Sequence, residues 1–291
     1  MPGDLDSTPT SNNNTYILDA ESGAEMARLM KQDRLITQGM NGVLAERDDV
    51  ATMHDILDIA CGPGSWVLDV AFAHPQINVV GIDISSVMVE YARAQAATQR
   101  LDNATFRVMD VLKPLTFPDN SFDLVNARFL VGLMPAAAWP KLLEECRRIT
   151  RPGGIIRLTE FDEPGLTNSP AFEQWKAITF SATRKAGLMT APDGRHFGIT
   201  PVMSRLLIDA GFEKLDRKAH VIDFSAWTEA HETMYQNCMV AFKLVQPFIA
   251  KMGIATQEEL DERYQQMLIE MMLKDFYGLW YYLTVWGQKP Y

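Results

Sequence analysis

The stretch that decides the fold is Asp55-Ile56-Leu57-Asp58-Ile59-Ala60-Cys61-Gly62-Pro63-Gly64-Ser65-Trp66-Val67. It opens as a short apolar run, passes through a glycine loop and continues as the start of a helix. A buried strand, a tight turn and a helix make the first unit of a parallel α/β sheet. In such sheets ligands bind at the carboxyl ends of the strands, where glycine lets the backbone come close to them.

Working outward, the same rhythm repeats downstream. Short buried strands are expected at residues 55–60, 78–83, 104–109, 122–127 and 154–160, with helices at 65–73, 85–99 and 136–149. Pro152, Gly153 and Gly154 supply the turn that stops the last of these helices. The expected architecture is an α/β, doubly wound, Rossmann-like sheet covered on both faces. Helices follow at 171–186 and 201–210, and a strand at 213–224. Two more helices at 227–252 and 257–276 come next, the second started by a Thr256-x-x-Glu259 capping box, and a final strand runs over 278–287.

Upstream, residues 1–14 are polar and read as a disordered tail. Residues 15–50 read as a helical lid, begun by a Ser22-x-x-Glu25 box and interrupted at Gly39 and Gly42. The main domain is then 51–291, with 226–276 as a helical insertion on the substrate side.

Composition narrows the function. A net charge of −10 over 291 residues, with no basic cluster, argues against a nucleic acid partner. The longest apolar runs fall short of a membrane span, and no secretory leader is evident, so a cytoplasmic location is expected. The three cysteines, Cys61, Cys146 and Cys238, lie far apart and suggest neither disulfides nor a zinc site. No metal is expected, a small-molecule substrate is, and a homodimer is left open.

Three strand ends carry the chemistry. The glycine loop alone is a weak signal, and a dinucleotide fingerprint starting at Gly62 would need a small residue where Val67 stands. Asp83, ending the second strand, can accept both hydrogen bonds of a ribose diol. Asp110, ending the third, can accept from an adenine amine. Together they favour an adenosyl ligand without phosphates. The fourth strand leaves through Asn126 and Phe129, polar and aromatic groups able to close the pocket.

The ordered series D-x-A-C-G-P-G, G-I-D-I-S, V-M-D, F-D-L-V-N-A-R and R-P-G-G, spanning residues 55 to 160, resembles the class I S-adenosylmethionine-dependent methyltransferases. It is most similar to their small-molecule branch, the ubiquinone- and menaquinone-biosynthesis type and natural-product enzymes. The resemblance implies a seven-stranded sheet closed by an antiparallel hairpin. It also implies S-adenosyl-L-methionine as cofactor, held by Ala60, Cys61, Gly62 and Gly64 in the loop, by Asp83, Ile84 and Met88, and by Asp110 and Val111. Ala60 departs from the more usual glycine and puts a methyl group near the cofactor's amino acid end. Tyr16, in the lid, is implied to touch cofactor or substrate.

Methyl transfer from a sulfonium gains most of its rate from alignment and exclusion of water, so a base is optional. Candidates for one are His196, His231 and Glu160, each weighed against an ordinary structural role; Asp162 shares the region after the fifth strand. The dense methionines and aromatics of the last third read mainly as core, with some left over to line an apolar pocket. An acceptor with a large apolar part follows. The rival readings are a nicotinamide-dependent oxidoreductase and a protein that keeps the cofactor pocket without methylating.

Overall fold

The computed structural model describes residues 22–291. The expected tail and Tyr16 lie outside the described residues.

Five strands form the parallel part of the sheet: β1 (Asp55–Ile59), β2 (Asn78–Asp83), β3 (Ala104–Val108), β4 (Phe122–Arg128) and β5 (Thr150–Glu160). Their order is β3-β2-β1-β4-β5. Ile56, Leu57 and Ile59 of β1 are fully buried, as expected of a strand covered on both faces. The covering helices are α2 (Ser65–Ala73) and α3 (Ser86–Gln99), with α4 (Trp139–Ile149) following β4. Ser85 caps α3 by accepting from the Met88 N–H. Register aligns Ile59 with both Ile82 and Ala127, and Asp83 with Val108, so the carboxyl ends of four strands meet along one rim.

The antiparallel end is built from β7 (Glu213–Asp223) and β8 (Gly278–Gln288). β8 inserts between β5 and β7, pairing Glu160 with Leu283 on one side and Asp223 with Leu279 on the other. A two-residue strand, β6 (Leu166–Thr167), adds to the start of β8 and brings the sheet to eight strands rather than seven. The R-P-G-G segment is also not the turn the sequence suggests. β5 begins at Thr150, and the irregularity is absorbed as a register shift between Phe122 and Leu124 of β4.

The helices α1 (Gly23–Gly39), α5 (Pro170–Lys185), α6 (Met203–Asp209), α7 (Ala230–Leu244), α8 (Gln246–Lys251) and α9 (Gln257–Met271) complete the chain. The Thr256–Glu259 capping box forms at the start of α9. The Ser22–Glu25 box does not: Glu25 turns into the protein and makes a two-pronged ion pair with Arg28, both bonds 2.7 Å. A buried charged pair outweighs one more backbone cap. The expected helix 227–252 is split, because Pro247 lacks the N–H that a continuous helix would use. α1 packs against α7, and α5 against α9. Phe172, Trp175, Phe242, Met267 and Met271 of these helices are buried in a cluster with Trp280 and Tyr282 of β8.

Candidate active site

The rim of aligned strand ends opens into a cavity of about 310 Å³. At its edge Ala60, Gly62 and Gly64 have φ of +54°, +53° and +81°, three left-handed residues within five, which fold the loop back on itself. The Cys61 N–H is anchored on the Ile82 carbonyl at 2.9 Å. Ala60, Cys61 and Gly62 line the cavity and Gly64 does not. A Cβ at Gly64 would sit 2.6 Å from Phe106 and 2.8 Å from Ala92, so that glycine serves the packing of the loop on β3 and α3.

Asp83 is held by two backbone donors, the Gly62 N–H and the Ser85 N–H, each at 2.9 Å. Burial raises its carboxyl above the usual carboxylate range against the pull of those donors. The Met109 N–H bonds the Asp83 carbonyl at 2.8 Å, bringing the end of β3 alongside. Asp110, fixed by the Leu112 N–H at 2.9 Å, lines the same cavity as Asp83. Ile84, Met88 and Val111 line it between them.

Asn126 is a correction. It is fully buried, donates to Asp58 at 2.7 Å, accepts from Arg157 at 2.7 Å, and does not line the cavity. Behind it Arg157 pairs with Glu46. The groups that do reach the cavity floor are Asp58 and Arg128, together with Asp33 from α1, which pairs with Arg128. Burial pushes the Asp58 carboxyl up to about 7, opposed by Arg128 and the Asn126 hydrogen bond. The Arg128 guanidinium lies 5.6 Å from the Trp66 ring. Its Nε and Nη1 are buried and have no hydrogen-bond partner among the described residues.

The other half of the cavity is aromatic. Phe129 stacks on Trp280 at 5.7 Å and meets Phe161 at 5.3 Å, and Phe161 in turn meets Phe197 edge-on at 5.7 Å. Phe129 has a φ of +56°, a strained conformation for a bulky residue. Glu160 explains how it is held. The two carboxylate oxygens accept the Leu130 and Val131 N–H groups at 2.8 and 3.2 Å, clamping the turn after β4. Burial pushes this carboxyl up to about 8. Glu160 does not line the cavity, and both its carboxylate oxygens are engaged by backbone N–H groups.

Neither histidine candidate reaches the cavity. His231 bonds the Met271 carbonyl at 2.8 Å and ties α7 to α9. His196 sits half-exposed in its loop, 3.9 Å from Asp193. Asp162 is occupied by the Ile199 N–H at 2.7 Å and by Thr200. Over the cavity, Arg28 of α1 bonds Asn237 of α7 at 2.8 Å, and Lys31 bonds Gln236 at 2.7 Å, so lid and insertion make one roof. Among the described residues no group of three or more His, Cys, Asp or Glu is arranged to hold a metal ion.

A strand-tip cradle for an adenosyl group, joined to an apolar chamber, is what known proteins can be compared with. Residues 56–154 match the family model of the methyltransferase domain. The chain is similar to methyltransferase pytC of Aspergillus terreus, 27% identical over 253 residues that cover 81% of this chain and 72% of the relative. Domain match, relatives and fold together support a class I S-adenosylmethionine-dependent methyltransferase of the small-molecule kind. A further relative of this methyltransferase is demethylmenaquinone methyltransferase of Staphylococcus aureus, 34% identical over 43% of this chain and 48% of the relative. In fold it resembles phosphoethanolamine N-methyltransferase 2 of Haemonchus contortus, with a TM-score of 0.52, 17% identity, and coverage of 88% and 53% of the two chains.

The methyltransferase uses S-adenosyl-L-methionine as its cofactor, and the residues present suit it. Asp83 and Asp110 offer acceptors for the diol and the adenine amine. Asp58 and the incompletely satisfied Arg128 offer opposite charges for a zwitterionic amino acid end. Sequence reasoning missed Asp33, Asp58, Trp66, Arg128 and Trp280 as cavity residues. An acid and an arginine inside otherwise apolar strands were the available signals for Asp58 and Arg128.

Proposed function

We propose that this methyltransferase passes the methyl group to a small, largely apolar and aromatic acceptor lodged between Phe129, Phe161, Phe197 and Trp280. The observation that carries the reading is that one cavity continues from the Asp83 and Asp110 carboxylates into this aromatic chamber. The bound cofactor supplies an electrophilic methyl on a cationic sulfur. Everything else falls to the chain. The strand tips fix the adenosyl end, the ring faces of Phe129 and Trp280 suit a neighbouring cation and a flat ring alike, and α1 with α7 excludes water.

No histidine lines the cavity among the described residues. That favours an acceptor atom needing little help with its proton, such as an acidic phenol or enol oxygen or an electron-rich ring carbon. The name of the Staphylococcus aureus relative, demethylmenaquinone methyltransferase, supports a small-molecule acceptor of the quinone kind. The net negative charge speaks against nucleic acid.

The test is an assay with methyl-labelled S-adenosylmethionine and two acceptor panels, one of phenols, enols and hydroquinones and one of small polar amines. S-adenosylhomocysteine should form with the first panel. Turnover confined to the amines would overturn the acceptor class. Binding of NAD⁺ but not of S-adenosylhomocysteine, measured by calorimetry, would overturn the whole reading in favour of the oxidoreductase.

A further inference from the structure

Three cations line the cavity among the described residues: Arg28, Arg128 and Lys176. Two are already engaged. Arg28 makes its two-pronged pair with Glu25 and bonds Asn237 and Gln32. Lys176 bonds Glu163 at 2.5 Å, Glu173 at 2.6 Å and the Gly165 carbonyl at 3.1 Å, using all three ammonium protons. Arg128 differs. Its Nη2 pairs with Asp33 and its face lies against Trp66, yet Nε and Nη1 are buried with no partner among the described residues.

A buried guanidinium N–H left unpaired costs free energy that an arriving acceptor would recover. With Nη2 taken by Asp33, the Nε–H and Nη1–H lie on different edges of the guanidinium, and each is a charged donor for a separate oxygen contact. Its position ends β4 directly beside β1, whose register pairs Ile59 with Ala127. The arginine therefore stands next to the Ala60–Gly62 turn, at the opposite end of the rim from Asp110. Asp58 and Asp33 beside it leave the local charge mixed, which suits a zwitterion better than a simple anion.

We propose that Arg128 is the receptor for the α-carboxylate of the cofactor, its guanidinium being held in place by Asp33 of α1 and the Trp66 ring. The proposal rests on the cofactor assignment and adds the side chain that tells the amino acid end from a bare thioether. It also links the lid to the cofactor, since the residue that orients Arg128 belongs to α1.

The experiment uses two ligands that differ by one group: S-adenosylhomocysteine and its decarboxylated analogue, which keeps adenosine, sulfur and amine. Both are titrated calorimetrically into the wild type, Arg128→Met and Arg128→Lys. The wild type should prefer the carboxylated ligand. Arg128→Met should lose at least about tenfold in affinity for it while changing the analogue's by less than about twofold, in line with a charge-assisted pair. Arg128→Lys should recover part of the preference. Equal losses on both ligands, or none, would overturn the assignment. If Arg128→Met does not fold, a lysine variant with undiminished preference would overturn it, and one with a reduced preference would support it. A wild type that binds neither ligand would instead bring down the cofactor assignment itself.

Discussion

Asp58 is the residue whose chemistry reaches furthest. Burial makes it keep its proton to about 7, whereas in the unfolded chain it would lose that proton in the ordinary carboxylate range. The folded state therefore binds the extra proton between those values, and the resulting stability is full at acid pH and lost as pH rises through 7. Arg128, Arg157 and Asn126 pull toward the ionised form, and Asp33 pushes against it. Thermal melts should show the wild type losing stability relative to Asp58→Asn between about pH 4 and 7. Affinity for S-adenosylhomocysteine should climb over the same interval, because the ionised carboxylate accepts from an ammonium, and Asp58→Asn should flatten that climb. Asp83→Ala should weaken the same ligand by more than about tenfold at any pH in this range, as expected for a charged hydrogen-bond acceptor. Calorimetry on the folded variant checks it, and unchanged affinity would contradict the placement of the ribose.

Among the elements, the turn after β4 holds a bulky aromatic residue in a left-handed conformation. Phe129 occupies a left-handed conformation at the junction of the two halves of the cavity, and Glu160 holds the next two backbone N–H groups. Glu160→Ala strands both donors in the interior, and a loss of about 2–4 kcal/mol is expected. Denaturant unfolding measures it, and a change below about 0.5 kcal/mol would show that the clamp does not hold the turn. This element also marks what a sequence can and cannot disclose. The glycine loop, Asp83 and Asp110 were legible because each follows its own apolar strand, and parallel strands must end on the same rim. The Asp33–Arg128 pair was not, because its members stand 95 positions apart and belong to elements whose packing no local pattern encodes. Glu160 looked like a free acid at a strand end, but its partners are backbone groups that only the tertiary turn delivers. β6 was missed because two residues are too few to show a period.

For the molecule as a whole, the proposed function divides the cavity's labour between a sheet rim for the cofactor and the α7 side of the helical roof for the acceptor. Changes on the α7 side of the roof should therefore alter acceptor use alone, whereas α1 carries Asp33, the partner of Arg128. Ala241, a half-buried cavity residue on α7, is the place to try. Ala241→Trp should cut turnover of large aromatic acceptors at least about tenfold through occupied volume, with S-adenosylhomocysteine affinity within about twofold of wild type. Equal damage to both would show that rim and roof are not separable.

The placement of β8 has a consequence for how the protein comes into being. β8 follows in sequence both of the strands it lies between, β5 and β7, and the Arg28–Asn237 bond joins positions 209 apart. A nascent chain can lay down the β1–β5 half early, but it must wait for β8 and Trp280 before the chamber closes. Contacts this distant slow folding and leave sticky surface uncovered in the interval. Translation products that stop before β8 should therefore be clients for chaperones and prone to clump.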